Sequence, residues 1–298
     1  MDFRQIEYFL AVVEQDGING AAAALGVAQP TVSQSLRGLE RELGVQLFHR
    51  IGRGMVLSAA GRSLVGPSRQ VLRDVTAARD MLAGGAGGDL AGRLDVMAFP
   101  ALATGTIIDL IARFRTTYPK VTVQLADLRD EAASASLIRD GHCEFVVAHL
   151  PIDGEGLEVI ELGAQEFWLV YPPGTELAEG PVRLAELPDI PMVFVPRGGS
   201  LGDTIEEAIH DAGAHPSPAV IIEHREARLP LVLSGVGGSL MERSVAESVR
   251  DRAVVRRCEP SFTRAFGLAY DPATLSPVGR AFVESIRTTV DSDVEPGN

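Results

Sequence analysis

The first sixty residues carry apolar side chains at the three- and four-residue spacing of amphipathic helices. One apolar face consists of Ile6, Phe9, Leu10 and Val13, and a second, later in the chain, consists of Val32, Leu36, Leu39 and Leu43. Between them, Asn19 suits the cap of a short helix over 20–25, which the turn at 26–27 follows. Pro30 suits the first position of a third helix, and Gly44 ends it. The spacing predicts a helix-turn-helix that buries the second apolar face.

The third predicted helix is hydrophilic on the side opposite its apolar stripe. At about 100° per residue, the side chains that point away from the stripe or flank it are Gln34, Arg37, Arg41, Thr31 and Ser33. A glutamine side chain can bond two atoms of an adenine edge, and helix N-terminal amides can hold a phosphate. We therefore predict that this helix contacts double-stranded DNA through Gln29, Pro30, Thr31, Ser33, Gln34, Arg37 and Arg41.

Two short extended runs follow this helix, on either side of a glycine-containing turn at 51–54. They predict a hairpin wing, with Arg50 and Arg53 at its tip. Arginines in that position suit a minor groove or a phosphate. Residues 1–57 are thus predicted to form an all-α winged helix-turn-helix domain that binds DNA.

The uneven distribution of charge reconciles DNA binding with a net charge of −13. Residues 1–90 contain nine Arg and nine acidic residues, whereas residues 91–298 contain 18 basic and 31 acidic residues. Within 29–73, seven Arg (37, 41, 50, 53, 62, 69 and 73) stand against two Glu. This segment has the positive charge that a phosphate backbone requires, and the acidic remainder disfavours contacts with DNA elsewhere.

A long helix is predicted over 58–83, capped by Ser58. Its apolar seam repeats at four and three residues: Leu64, Ser68, Val71, Val75, Ala78 and Leu82. A second copy of the helix is one cover for the seam, which predicts a homodimer or homotetramer. Packing against the chain's own C-terminal domain is the alternative, because the glycine-rich hinge at 84–90 permits it. Pro67 is expected to kink this helix or break one turn of its hydrogen bonds.

Beyond the hinge, strand and helix patterns alternate. Apolar strand runs are found at 94–99, 121–125, 145–148, 167–171 and 192–195, and helical patterns at 107–118 and 201–212. This alternation predicts parallel βαβ units and an α/β fold.

The N-terminal motifs resemble those of LysR-type transcriptional regulators. In order and spacing they are Phe3-Arg4-Gln5-Ile6-Glu7-Tyr8-Phe9, Ala21-Ala22-x-x-Leu25, Gln29-Pro30-Thr31-Val32-Ser33, Leu39-Glu40-x-x-Leu43-Gly44, Leu47-Phe48-x-Arg50 and Leu57-Ser58-x-x-Gly61. The resemblance implies that 91–292 is a periplasmic-binding-protein-like effector domain with two α/β lobes, lobe I (91–162 and 266–292) and lobe II (163–265). It also implies a small-molecule effector between the lobes and RNA polymerase as a further partner. The predicted dimer, with two DNA-binding domains, implies a pseudo-palindromic operator.

The walls of such a cleft are strand ends and helix N-termini, which suit small anions. The predicted effector-binding residues are Pro100, Ala101, Leu102, Thr104, Leu128, His149, Leu150, Pro151, Arg197, Gly199, Ser200, Leu201, His224 and Arg225. The amides near 197–200 and the Arg197 guanidinium suit a carboxylate. Because Phe99, Ala101 and Leu102 are apolar, we expect an effector with an aromatic or branched portion.

Two alternative classes of function fit the sequence less well than regulation. The sequence Gly198-Gly199-Ser200-Leu201-Gly202 matches the nucleophile elbow of hydrolases, but His210, His215 and His224 follow it without a suitable pattern. A binding protein without transcriptional output leaves the first 60 residues unexplained. We therefore expect no enzymatic activity and no catalytic residue.

The sequence predicts neither a metal site nor a cofactor, because its six histidines lack metal-ligand spacing and 235–238 lacks the remaining residues of a nucleotide-binding loop. The apolar runs are too short for a membrane span, and Cys143 and Cys258 lie too far apart to be a CxxC motif. We expect a cytoplasmic protein without a membrane partner.

Overall fold

The computed structural model describes residues 1–51, 54–83, 90–196 and 200–294. Its N-terminal domain consists of the helices α1 (Phe3–Glu14), α2 (Ile18–Leu25) and α3 (Gln29–Leu43), followed by the antiparallel strands β1 (Phe48–Ile51) and β2 (Gly54–Leu57). Alternate turns of α1 and α3 bury apolar side chains in one core, where the Phe9 and Phe48 rings lie 5.6 Å apart. The predicted helix-turn-helix and wing are present.

Three local expectations in this domain were wrong. Helix α2 begins at Ile18 after Gly17, so Asn19 lies inside the helix and does not cap it. Helix α3 begins at Gln29, which places Pro30 at its second position. Leu43 is 38% exposed, because α3 ends there and Leu47, on the returning chain, fills the core instead.

The long helix α4 (Ala59–Ala83) joins the two halves of the chain. Ser58 caps it as predicted, with its Oγ accepting a hydrogen bond from the Gly61 N–H at 2.9 Å. The helix continues through Pro67. Val65 packs in the N-terminal core, and Arg69 and Arg73 donate hydrogen bonds to lobe I, so α4 contacts both domains of its own chain. Val71, on the predicted seam, remains 38% exposed.

The C-terminal half is built on one continuous sheet, in the order β10-β6-β11-β5-β3-β4. These strands are β3 (Gly92–Ala98), β4 (Val121–Asp127), β5 (Phe145–His149), β6 (Glu158–Tyr171), β10 (Ser239–Glu242) and β11 (Val254–Tyr270). Strands β3, β4 and β5 are parallel, as are β8 (Met192–Phe194) and β9 (Pro218–Ile221). The predicted parallel units are present in these strands, whereas β11 runs antiparallel to β5 and β6, and β10 antiparallel to β6. The short β7 (Val182–Arg183) pairs with β11.

Helices cover both faces of each lobe. In lobe I these are α5 (Thr106–Thr117), α6 (Ser134–Arg139) and α10 (Pro277–Val294); in lobe II they are α7 (Ser200–Asp211), α8 (Arg228–Leu233) and α9 (Arg243–Glu247). On β5, Phe145 and Val147 belong to the core that α5 and α10 cover, whereas Val146 and Ala148 belong to the core that α6 covers. Among the described residues, short 3-10 turns span Glu131–Ala133, Leu184–Glu186 and Arg225–Ala227.

The long strands β6 and β11 run through both lobes and connect them. The N-terminal part of β6 pairs with the C-terminal part of β11 in lobe I, and β10 extends the sheet beside 167–170 in lobe II. The predicted lobe division, at 162/163 and 265/266, falls inside these two strands. A register shift of the β6–β11 pair lies beside it, between Phe266 and Gly267. The residues that follow β3, β5 and β9 meet at this crossing.

Candidate DNA-binding face and interlobe cleft

The predicted DNA-reading residues lie along one side of α3. Val32, Leu36 and Leu39 anchor the helix in the core, with at most 3% of each side chain exposed. The residues exposed on the helix surface are Gln29, Pro30, Thr31, Gln34, Arg37 and Arg41, and Ser33 is half-buried. The arrangement is a hydrophilic ridge with two guanidinium groups and two side-chain amides, which suits the phosphates and base edges of a major groove.

The hairpin lies against α3 and is held there by polar contacts. The Glu40 carboxylate accepts a hydrogen bond from the Leu47 N–H at 2.8 Å, and the Ser58 Oγ donates to the Gln46 carbonyl at 2.6 Å. A groove between α3 and the hairpin is lined in part by Ser33 and His49. His49 is exposed and was missed by the sequence analysis, since nothing in its spacing marks it. The side chain of Arg50 and all of Arg53 lie outside the described residues.

Four of the seven arginines within 29–73 form two pairs with different surroundings. Arg37 and Arg41 are exposed on α3. Arg69 and Arg73, on α4, instead turn towards lobe I, where their Nη1 atoms donate to the carbonyls of Asp140 at 3.1 Å and Gly141 at 2.9 Å. Two of the seven arginines in the basic segment therefore bind lobe I, which sequence position alone does not show.

The loop after β3 forms part of the lobe crossing. Leu102 is buried in the core of lobe I, Pro100 and Ala101 are half-buried, and Thr104 is exposed. The Ala101 carbonyl accepts a hydrogen bond from the Gln165 Nε2 at 3.0 Å, which links this loop to β6.

The other predicted effector residues near this loop differ in their exposure. Leu128, after β4, is fully buried in the core beneath α6. Leu150, half-buried, and Pro151, exposed, follow β5. His224 is exposed after β9. Ser200 and Leu201 begin α7, but their side chains lie outside the described residues, as do Arg197 and Gly199 entirely.

A buried polar network surrounds His149 at the end of β5. The Nδ1 atom of His149 lies 2.8 Å from the Glu131 Oε1, which also accepts from the His149 N–H at 2.7 Å. The Nε2 atom lies 3.0 Å from the Gln165 Oε1. Burial alone would raise the pKa of Glu131, but the hydrogen bonds and charge of His149 outweigh it, and the pKa of Glu131 lies below its usual value. The Arg264 guanidinium lies 3.8 Å from the other oxygen of Glu131.

Arg225 brings lobe II to the same place. Its guanidinium pairs with the buried Glu242, which also binds Arg228 at 3.2 Å. The guanidinium carbon lies 4.9 Å from the centre of the Phe99 ring, a cation–π contact between the lobes. The Phe99 ring in turn meets the His149 ring edge to face, at 5.6 Å. The crossing thus combines an apolar ring with several charged groups.

Two donors at this crossing are buried and unsatisfied. The Nη1 atoms of Arg225 and Arg264 have no hydrogen-bond partner among the described residues. Burial disfavours the charged form and lowers the pKa of both guanidinium groups. Sequence reasoning identified His149 and Arg225 but not the other three residues. Gln165 and Arg264 reach the crossing only through the pairing of β6 with β11, and Glu131 only through the contact of its 3-10 turn with the end of β5.

A winged helix-turn-helix joined by a long helix to a two-lobed α/β domain defines the class of ligand-responsive DNA-binding proteins. The family description "Bacterial regulatory helix-turn-helix protein, lysR family" matches residues 3–62, and "LysR substrate binding domain" matches residues 57–291. The chain belongs to the LysR family of transcriptional regulators. It therefore has a DNA-binding domain and an effector-binding domain.

Similar proteins share nearly the whole length of this chain. The HTH-type transcriptional regulator TcbR of Pseudomonas sp. (strain P51) is 29% identical over 296 residues, covering 96% of this chain and 98% of TcbR. A probable hydrogen peroxide-inducible genes activator of Mycobacterium leprae (strain TN) is 29% identical over 274 residues, covering 89% of this chain and 86% of that protein.

Solved structures show the same fold. A full-length OxyR variant from Pseudomonas aeruginosa has a TM-score of 0.73 at 22% identity, covering 96% of this chain and 95% of its own. CbnR complexed with its target DNA has a TM-score of 0.67 at 24% identity, covering 97% of this chain and 100% of its own.

Two kinds of site are absent from the part of the chain that the structure describes. None of its helices is long and apolar enough to cross a membrane. No group of three or more His, Cys, Asp or Glu side chains there is placed to hold a metal ion.

Proposed function

We propose that this regulator binds a pseudo-palindromic operator through the exposed side of α3, and that a small organic carboxylate held between the lobes controls it. The observation that carries the effector proposal is the pair of buried, unsatisfied Nη1 atoms of Arg225 and Arg264. A buried donor without a partner costs about 1 to 3 kcal/mol, and more when it is charged. A carboxylate is the ligand that satisfies two guanidinium groups best.

The apolar side of the crossing indicates the chemistry of the rest of the effector molecule. Phe99 is half-buried beside Arg225 and His149, and Pro100 and Ala101 continue the same surface. An aromatic ring or a branched chain would pack there while its carboxylate reaches the arginines. Glu242 pairs with Arg225 and Glu131 pairs with Arg264, and these ion pairs hold the two guanidinium groups in position. We therefore propose an aromatic or branched carboxylate as the effector.

Thiol oxidation is the competing signal, since one similar protein is named for hydrogen peroxide induction. Cys143 and Cys258 are both buried. Burial raises the pKa of each thiol to about 12. A thiol reacts with peroxide as its thiolate, so neither cysteine suits a peroxide sensor. This supports ligand binding as the signal.

We further propose that the protein acts without catalysis, as a homodimer or homotetramer in the cytoplasm, in contact with RNA polymerase. The exposed Val71 on α4 supports association through the predicted seam, because an apolar side chain on a long helix favours a partner surface. As for catalysis, the His210 and His215 rings pack edge to face against each other, with their centres 4.9 Å apart. If a Ser200→Ala variant lost an ester-hydrolysing activity of the wild type, regulation without catalysis would be wrong.

The effector proposal is tested by thermal shift and calorimetry with a set of small carboxylates, including benzoate, and with benzamide as the uncharged counterpart of benzoate. We expect an aromatic or branched carboxylate to raise Tm, and its amide not to do so. Arg225→Met and Arg264→Met should each weaken carboxylate binding by about tenfold or more. Arg243→Met, at an exposed arginine of lobe II that pairs with Glu247, is the matched control. Binding that neither cleft substitution alters would contradict the site.

DNA footprinting with and without the carboxylate so identified then tests the regulatory step. A ligand controls a protein only if it binds two conformations with different affinity. We expect the footprint or the transcription level to change on binding. Identical footprints and identical transcription would show that the cleft ligand is not the effector.

A further inference from the structure

One short stretch of lobe I touches both the cleft and the helix that carries the DNA-binding domain. We call it the 131–141 segment: the 3-10 turn Glu131–Ala133, helix α6 and the two residues Asp140 and Gly141. Its first residue belongs to the polar network of the crossing, and its last two contact α4.

The cleft end is held by one carboxylate. Glu131 has 6% of its side chain exposed and binds the backbone N–H and the ring of His149. Its second oxygen faces Arg264 at 3.8 Å. Glu131 faces the Nη2 atom of Arg264, whereas the unsatisfied atom is Nη1. A ligand carboxylate at Nη1 would share the charge of this guanidinium and weaken its attraction for Glu131, so binding there changes the forces on the start of the segment.

The other end is held by backbone contacts. The carbonyls at the C-terminus of a helix lack intrahelical partners, and here Arg69 and Arg73 of α4 donate to those of Asp140 and Gly141. Gly66 lies so close that a Cβ at that position would be 2.4 Å from the Arg139 carbonyl oxygen. Helix α4 and the segment therefore meet backbone to backbone.

Between its ends the segment is anchored along one side. Ser134, Ala135 and Ile138 are buried, and Ile138 packs in the core that contains Val146 and Ala148 of β5. A short helix anchored in this way moves as one body more readily than it bends.

The contact with α4 is incompletely satisfied. A cavity of about 450 Å³ lies between α1, α4 and lobe I. The Arg73 Nε and the Ser68 Oγ, both on α4, are buried without a hydrogen-bond partner among the described residues. A cavity and unsatisfied polar atoms make an interface less stable than a fully packed one. The free-energy difference between this arrangement of α4 and an alternative one is correspondingly smaller.

From these contacts we infer that the 131–141 segment transmits the state of the cleft to α4. Binding at Arg264 weakens the hold of Glu131, the segment shifts, and the carbonyls of Asp140 and Gly141 move relative to Arg69 and Arg73. The docking of α4 on lobe I changes, and with it the placement of the DNA-binding domain. This inference rests on the proposed effector site, but its mechanical part can be tested without an effector.

The test is hydrogen exchange by mass spectrometry on the full-length protein, without effector or DNA. Glu131→Ala should raise exchange of the α4 amides at 66–76 by about tenfold, the effect of losing roughly one charged hydrogen bond. Arg69→Met with Arg73→Met, which removes the contact while keeping helix propensity, should raise the same exchange. In that double variant, adding Glu131→Ala should have no further effect.

Two controls match these substitutions. Glu158→Ala removes another lobe I carboxylate, paired with Arg287 at 2.8 Å, and should leave exchange at 66–76 unchanged. Arg62→Met removes an α4 arginine that donates to the Leu57 carbonyl, and it should not reproduce the effect of the double variant. Exchange in β3 reports whether lobe I stays folded. If Glu131→Ala disturbs β3, the milder Glu131→Gln takes its place and is judged by the same criteria.

Unchanged exchange at 66–76 in the Glu131 variant would overturn the inference. An equal rise with and without Arg69 and Arg73 would overturn it as well, because the two ends would then act independently. Neither result bears on whether the cleft binds a carboxylate, so failure of the transmission route is distinguishable from failure of the proposed function.

Discussion

Replacing Arg37 by Ala should change how DNA binding depends on salt. Arg37 is exposed on the hydrophilic side of α3, whereas Arg69 donates to the Asp140 carbonyl of lobe I. Each phosphate contact contributes about 0.9 to the slope of log K against log salt concentration. If two subunits each lose one contact, the magnitude of the slope should fall by about 1.8. Between about 50 and 200 mM salt, the variant should then lose roughly tenfold less affinity than the wild-type protein loses.

The assay is fluorescence anisotropy with a duplex from the protein's own promoter, titrated at several salt concentrations. Arg69→Ala is the matched control: it removes the same charge from the same basic segment, and we expect it to leave the slope unchanged even if affinity shifts. Equal loss of slope in the two variants would refute the division of these arginines into a DNA-facing and a lobe-facing group. An unchanged slope in Arg37→Ala would refute contact of this side chain with phosphate.

Three further predictions concern stability and reactivity. Leu39→Ala, at a fully buried position of α3, should lower the free energy of unfolding by about 3 kcal/mol, measured by urea denaturation, while Leu43→Ala, at an exposed position, should cost less than about 1 kcal/mol. Burial raises the pKa of Glu144, so ionising this carboxyl group opposes folding. Glu144→Gln should therefore stabilise the protein, and the gain should grow as pH rises from the usual carboxyl pKa through the raised one. A gain in stability confined to acid pH would contradict this. Cys143 and Cys258, with pKa values raised to about 12, should resist a thiol reagent in the native protein and react after unfolding, so rapid native labelling would reopen peroxide sensing.

The features that could be predicted from the sequence are those that depend on local residue spacing. The buried side of α3 follows from Val32, Leu36 and Leu39 at helical spacing, and its polar side follows with it. The Ser58 cap likewise depends on residues within one turn. The LysR family was recognised from motifs within the same stretch, and the matches to residues 3–62 and 57–291 confirm it.

Features that depend on distant parts of the chain were not predictable in this way. Glu158 pairs with Tyr270 across the sheet, and no local pattern shows that β6 and β11 run antiparallel. Arg264 reaches the cleft only through that pairing. Arg69 and Arg37 both lie on predicted helices within the same basic segment. Only the structure shows that Arg69 donates to the Asp140 carbonyl. The predicted effector and DNA contacts, and the domain boundaries, remain predictions.

The measurement that tests the account most directly is competition between the protein's own promoter and a scrambled duplex of equal length and composition, at moderate ionic strength. If α3 reads bases, the promoter should be preferred by about a thousandfold or more, and Gln34→Ala should reduce that preference more than it reduces binding to the scrambled duplex. Equal affinity of the wild-type protein for the two duplexes would contradict sequence-specific recognition by this helix.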